Sequence, residues 1–108
     1  MRRAAGLIED GGNTLYWSAV SEWELPVRLS LRKLDLAEGW REAFAEERRT
    51  NRILELPISL EHCAPNEKLP WRHRDPFDRL LIGQALVDGL VLLAKDRSIA
   101  RYPVKTAW

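Results

Sequence analysis

The sequence predicts an α/β layer structure with a mostly parallel sheet. Three observations carry that prediction. Short apolar segments, "NTLYWS", "RILELPI", "LVLLAKD" and "VKTAW", are separated by segments with helical periodicity. The block "PFDRLLIGQALVDG" followed by "LVLLAKD" reads as a strong helix feeding a buried strand, the repeating unit of such layers. The chain has 108 residues, 45% of them hydrophobic and 31% charged, which suits one ordinary globular domain spanning 1–108.

In order along the chain, "RRAAGLIED" reads as a short helix, closed at Gly11 and Gly12 where glycine tolerates a left-handed turn. "NTLYWS" is a short strand. Helical periodicity follows through Val20, Trp23, Val27, Leu31 and Leu34, with a kink or break expected at Pro26. "LAEGWREAFAEERRT" is a second amphipathic helix with Trp40 and Phe44 on one face, weakened by Gly39. "RILELPI" is a strand, and "SLEHCAPNEKLP" a short helix running into a proline-bounded loop. After the helix from Pro76 and the strand "LVLLAKD", where Leu81, Ala85 and Val91 to Leu93 are expected to carry the core, "RSIARY" makes one helical turn. "VKTAW" makes a last short strand. No internal repeat, low-complexity segment or interdomain linker interrupts this order.

Several function classes are excluded. A net charge of +1 gives no bulk attraction for nucleic acid, so any such contact would use a local site. The single Cys63 rules out an internal disulfide and fits a reducing cytoplasm. "MRRAAGLIEDGG" turns acidic before an apolar region develops, so no secretory signal is expected. The longest apolar stretch, residues 80–94, is interrupted by Gln84 and Asp88 and does not read as a membrane span. A Gly-rich phosphate loop, a G-x-S-x-G elbow and an H-E-x-x-H pair are all lacking. His62 and Cys63 are adjacent and give no zinc spacing, so they read as a surface histidine beside a partly buried thiol.

The chemistry then rests on carboxylates. In "HRDPFDRLLIGQAL", Pro76 suits the first helical position, Asp75 the N-cap, and Asp78 the positive end of the helix dipole. Asp96 follows a strand and could cap the next turn, and Glu24 stands four residues before Arg28 in the favourable order for a helical ion pair. Each acid therefore has a structural explanation. Taken together they have another: Asp96 leaves the carboxyl end of a strand, Asp78 starts the helix leading into it, and Glu24 lies in the helix after an earlier strand. Carboxylates converging on one sheet edge would make a site for Mg²⁺ or Mn²⁺.

"VSEWEL", "KLDL", "HRDPFDRLLIGQAL", "LVLLAKDR" and the ending "YPVKTAW" resemble PIN domains, in particular the toxin subunits of bacterial VapBC-type toxin–antitoxin pairs. The resemblance runs from about residue 5 to 108. It implies a three-layer α/β/α sandwich, a Mg²⁺-dependent endoribonuclease acting on RNA, an antitoxin partner and a homodimer. It also implies that Glu24, Asp78 and Asp96 are the catalytic, metal-binding acids, with Asp75 left as the helix cap. Three departures accompany it. The family's first, central strand, which ends in an aspartate, has no counterpart before "RRAAGLIED", and Asp10 lies in the wrong loop to replace that acid. Ala94 stands where the family has a polar residue two before the last acid. Arg32 stands where a glycine usually precedes "KLDL". The expectation is therefore a PIN-like nuclease whose activity as this chain is in question; the alternative is a catalytically inactive PIN remnant that binds an antitoxin or serves as a structural module.

Overall fold

Helices are set by their ends and strands by their partners in this chain. The computed structural model describes residues 3–70, 75–94, 99 and 102–107. These residues gather into two compact units, one built from Thr14–Pro57 and the other from Met1–Asn13 with Ile58–Trp108.

The unit of Thr14–Pro57 holds β1 (Tyr16–Ser18), α2 (Ala19–Ser30), α3 (Trp40–Thr50) and β2 (Leu54–Leu56), where α1 (Arg3–Glu9) precedes them in the chain. Ser18 ends β1 and caps α2, its hydroxyl accepting the Val20 N–H at 3.0 Å, so strand passes into helix without a loop. α2 runs through Pro26 unbroken but stops at Ser30, short of the apolar pattern that continues to Leu34. The stop is a Schellman turn: Lys33 N–H donates to the Arg28 carbonyl and Arg32 N–H to the Leu29 carbonyl. Arg32 takes φ +58° there, the left-handed conformation that glycine adopts without strain. α3 ends the same way. Ile53 N–H bonds the Arg48 carbonyl, Arg52 N–H bonds the Arg49 carbonyl, and Arg52 has φ +56°. That turn also explains why β2 starts at Leu54 and not at Arg52. Gly39, at φ +81°, starts α3 at Trp40 and excludes the preceding "LAE" from the helix. Trp40 and Phe44 do share a face, edge to face at 5.6 Å. β1 and β2 pair in parallel, Trp17 opposite Glu55.

The other unit contains α1, α4 (Leu60–Cys63) with a 3₁₀ turn (Ala64–Glu67), α5 (Pro76–Asp88), β3 (Leu92–Leu93) and β4 (Thr106–Ala107). Neither Gly11 nor Gly12 takes the left-handed conformation; the turn after α1 is made by Asp10, whose Oδ1 accepts the Gly12 N–H at 2.8 Å. α5 begins and ends as its sequence requires, with Asp75 as N-cap, Pro76 in the first turn and Gly89 at φ +66°. The core is Leu69, Ile82, Ile99 and Tyr102, with Leu86, Leu92, Ala94 and Val104 packed against it. β3 and β4 pair in parallel, Leu92 opposite Thr106.

The α/β class with parallel strands holds. Two details differ from the sequence reading. The described strands form two separate parallel pairs, β1–β2 and β3–β4, and of the described residues in "LVLLAKD" two, Leu92 and Leu93, form a strand. Burial on α5 centres on Ile82 and Ala85, with Leu81 at an intermediate depth and Val91 46% exposed. The helical turn read in "RSIARY" falls largely outside the described residues.

Candidate active site

Glu24 is carried into place by the direct passage from β1 to α2. It occupies the second turn of α2, half-buried, and its Oε2 accepts the Arg28 Nε–H at 2.7 Å. The ion pair read from the i, i+4 spacing is therefore present. The neighbouring Glu22 has a different task. Its Oε1 accepts the Trp17 indole N–H at 3.0 Å and lies 3.6 Å from the Arg48 guanidinium, tying β1, α2 and α3 together. Of the two glutamates in "SEWEL", Glu22 is bound across elements and Glu24 to its own helix.

Asp75 and Asp78 divide as the cap geometry requires. Asp75 Oδ1 accepts the Phe77 N–H at 2.9 Å and the Asp78 N–H at 3.4 Å, which uses that oxygen on the backbone. Asp78 lies in the first turn of α5 and is half-buried, close to the helix's positive end. Asp96 lies outside the described residues. Glu24 and Asp78 belong to different units, and among the described residues no group of three His, Cys, Asp or Glu side chains is placed to hold a metal ion. The donor chemistry nevertheless fits a hard divalent cation: both acids offer carboxylate oxygens, the ligands that Mg²⁺ and Mn²⁺ take. A shallow open depression of about 540 Å³ lies at the end of α2 among Leu29, Arg32, Lys33, Leu34 and Asp35, and neither Glu24 nor Asp78 lines it.

Two buried polar groups of this unit, Arg79 next to Asp78 and His62 against the far end of α5, were not read from the sequence. Arg79 is 2% exposed, and its guanidinium donates to the carbonyls of Pro70, Asn66 and Leu69 at 2.9, 2.9 and 3.2 Å. It also donates to the Tyr102 hydroxyl at 3.3 Å, which in turn donates to the Pro70 carbonyl at 2.7 Å. Arg79 thus closes the proline-bounded loop onto the first turn of α5. His62, expected at the surface, is 4% exposed, while Cys63, expected to be partly buried, is exposed. The reason is the α4 cap: His62 Nδ1 accepts the Ser59 N–H at 3.0 Å, turning the ring inward against α5. A signal for Arg79 was present in the spacing, since 79, 82 and 86 lie on one helical face with Ile82 and Leu86.

The family model for the PIN domain matches residues 1–105, a span that takes in both units. The chain belongs to the PIN-domain family. The PIN domain is a nuclease-type domain, and divalent metal ions are in general use among its members. No curated protein and no solved structure gives a significant match to this PIN domain. No described helix is long and apolar enough to cross a membrane.

Proposed function

We propose that this PIN domain is an endoribonuclease dependent on Mg²⁺ or Mn²⁺, the toxin of a toxin–antitoxin pair. The observation that carries the proposal is the family match along residues 1–105. It is supported by the placement of Glu24 just after β1 on a capped helix and of Asp78 in the first turn of α5. Glu24, Asp78 and Asp96 would hold the ion. When bound, it supplies positive charge against the phosphodiester and acidifies a coordinated water. Asp75 keeps the first turn of α5 in register, and Arg79 fixes the loop behind it, so that the Asp78 backbone is held from both sides. RNA is the proposed substrate, with a cognate antitoxin and a second copy of the chain as partners in the cytoplasm.

The test is cleavage of single-stranded RNA by the purified chain with Mg²⁺ or Mn²⁺, with EDTA as the control. Metal-dependent cleavage lost in Asp78→Asn, Asp96→Asn and Glu24→Gln is the expected result. Cleavage retained in all three variants would remove the acids from the mechanism. A second reading, a catalytically inactive PIN domain that binds an antitoxin or serves as a structural module, is favoured by one observation: Ala94 stands where the family has a polar residue two before the last acid. No cleavage by the unsubstituted chain, with capture of a co-expressed antitoxin retained, would support that reading.

A further inference from the structure

We propose that Arg28 competes with a divalent cation for the Glu24 carboxylate, so that metal affinity at this site is set in part by an ion pair within α2. The inference rests on the metal-dependent reading above and adds a regulatory element to the same site. Arg28 Nε and Glu24 Oε2 are 2.7 Å apart, a charge-assisted hydrogen bond. The two side chains are unequal: Glu24 is 18% exposed and Arg28 50%, so the acid is held and the base is solvated. The guanidinium is the partner that can swing away.

The neighbouring acid provides an internal comparison. Glu22 is bound by Trp17 from β1 and Arg48 from α3, and releasing it would loosen three elements. Among the described residues Glu24 is bound from its own helix, one turn on, and releasing it breaks no hydrogen bond to another described element. An exposed i, i+4 pair is worth only about a factor of two in an equilibrium. A directly coordinated divalent ion can displace it, at a measurable loss of affinity. Removing Arg28 removes both the competing donor and a like charge close to the cation.

Mn²⁺ binding to the full chain, counted by electron paramagnetic resonance, tests this without reference to cleavage. Arg28→Gln and Arg28→Ala should each bind Mn²⁺ about twofold to tenfold more tightly than the unsubstituted chain at low ionic strength. The gap should narrow as salt is raised. Ala is the best helix former, so Arg28→Ala carries the test should the Gln variant fold poorly. Glu24→Gln should weaken binding. If Glu24→Gln weakens binding while both Arg28 variants match or fall below the unsubstituted chain, the competition is wrong and the metal site stands. If Glu24→Gln changes nothing, or the unsubstituted chain binds no Mn²⁺, the metal reading falls and takes the competition with it.

Discussion

His62 donates from Nε2 to Asp88 Oδ2 at 2.8 Å, linking α4 to the last turn of α5. Because Nδ1 of the same ring accepts the Ser59 N–H, the proton must reside on Nε2, and both ring nitrogens are used. His62→Ala should destabilise the chain by about 2–4 kcal/mol, from a lost cap, an unmet Ser59 donor and a cavity. Asp88→Asn keeps an acceptor oxygen and should cost about 1 kcal/mol or less. Urea denaturation measures both. A larger loss for Asp88→Asn than for His62→Ala would contradict this account.

Gly83 faces the same helix. A Cβ built there would overlap the His62 carbonyl oxygen, a backbone atom that no side-chain rotation can move. Gly83→Ala should therefore cost about 1–3 kcal/mol, the usual penalty of overpacking. Gly6 in α1 meets nothing within 4 Å, and Gly6→Ala should stabilise by about 0.5–1 kcal/mol. Opposite shifts in melting temperature are the expected outcome.

The Schellman turns after α2 and α3 give a third prediction. Arg32 and Arg52 occupy positions where an L side chain is strained and glycine is not. Arg32→Gly and Arg52→Gly should each stabilise by about 0.5–1 kcal/mol, strain relief being partly offset by a more flexible unfolded chain. Thermal melts of the two single variants and of the double variant, expected to be close to additive, check it.

Asp75 and Asp78 should separate in opposite directions. Asp75→Ala removes the cap and should cost about 0.5–2 kcal/mol of stability with little effect on Mn²⁺ affinity. Asp78→Asn keeps size and hydrogen bonding and should change stability little, yet weaken Mn²⁺ binding strongly. Equal Mn²⁺ binding by Asp78→Asn and the unsubstituted chain would leave Asp78 a purely structural residue.

The buried guanidinium gives the largest expected loss. Arg79→Met should destabilise by about 3 kcal/mol or more, because the Asn66 and Leu69 carbonyls lose their donor and the Pro70 carbonyl keeps the Tyr102 hydroxyl alone. Tyr102→Phe removes one hydroxyl from that network and should cost about 1–2 kcal/mol. A Tyr102→Phe loss equal to that of Arg79→Met would show that the hydroxyl, and not the guanidinium, carries the clamp.

What could be read from the sequence followed the range of the forces involved. The Asp75–Pro76 start of α5, its Gly89 end and the Glu24–Arg28 pair depend on residues within one turn of each other, and spacing alone carries them. Arg32 was also legible as an arginine in a glycine's place, and the left-handed backbone gives the physical reason. Burial of Gln84 and His62 was not legible, because they meet each other and Asp88 across 22 and 26 residues; for Arg79 the spacing marks the buried face, but not the partner Tyr102, 23 residues on. Polarity placed His62 at the surface; a hydrogen bond to its own helix cap turned it inward. Strand length failed for a related reason. "LVLLAKD" is apolar enough for a longer strand, but a strand extends only as far as a neighbour pairs with it, and among the described residues β4 offers Thr106 and Ala107.

The division of the chain into an uninterrupted unit and a split one bears on the order of folding. Residues 14–57 are continuous, whereas the second unit draws on segments that lie before and after them. Bringing those segments together means closing the whole intervening stretch as a loop, with an entropic penalty that grows with the loop's effective length. Early collapse of residues 14–57, nucleated by the Ser18-capped helix and the Trp17–Glu22–Arg48 tie, would shorten that loop before the split unit assembles. The kinetic signature is asymmetric. Substitutions at Trp17 or Val20 should slow refolding, while substitutions at Ile82 or Tyr102 should chiefly speed unfolding.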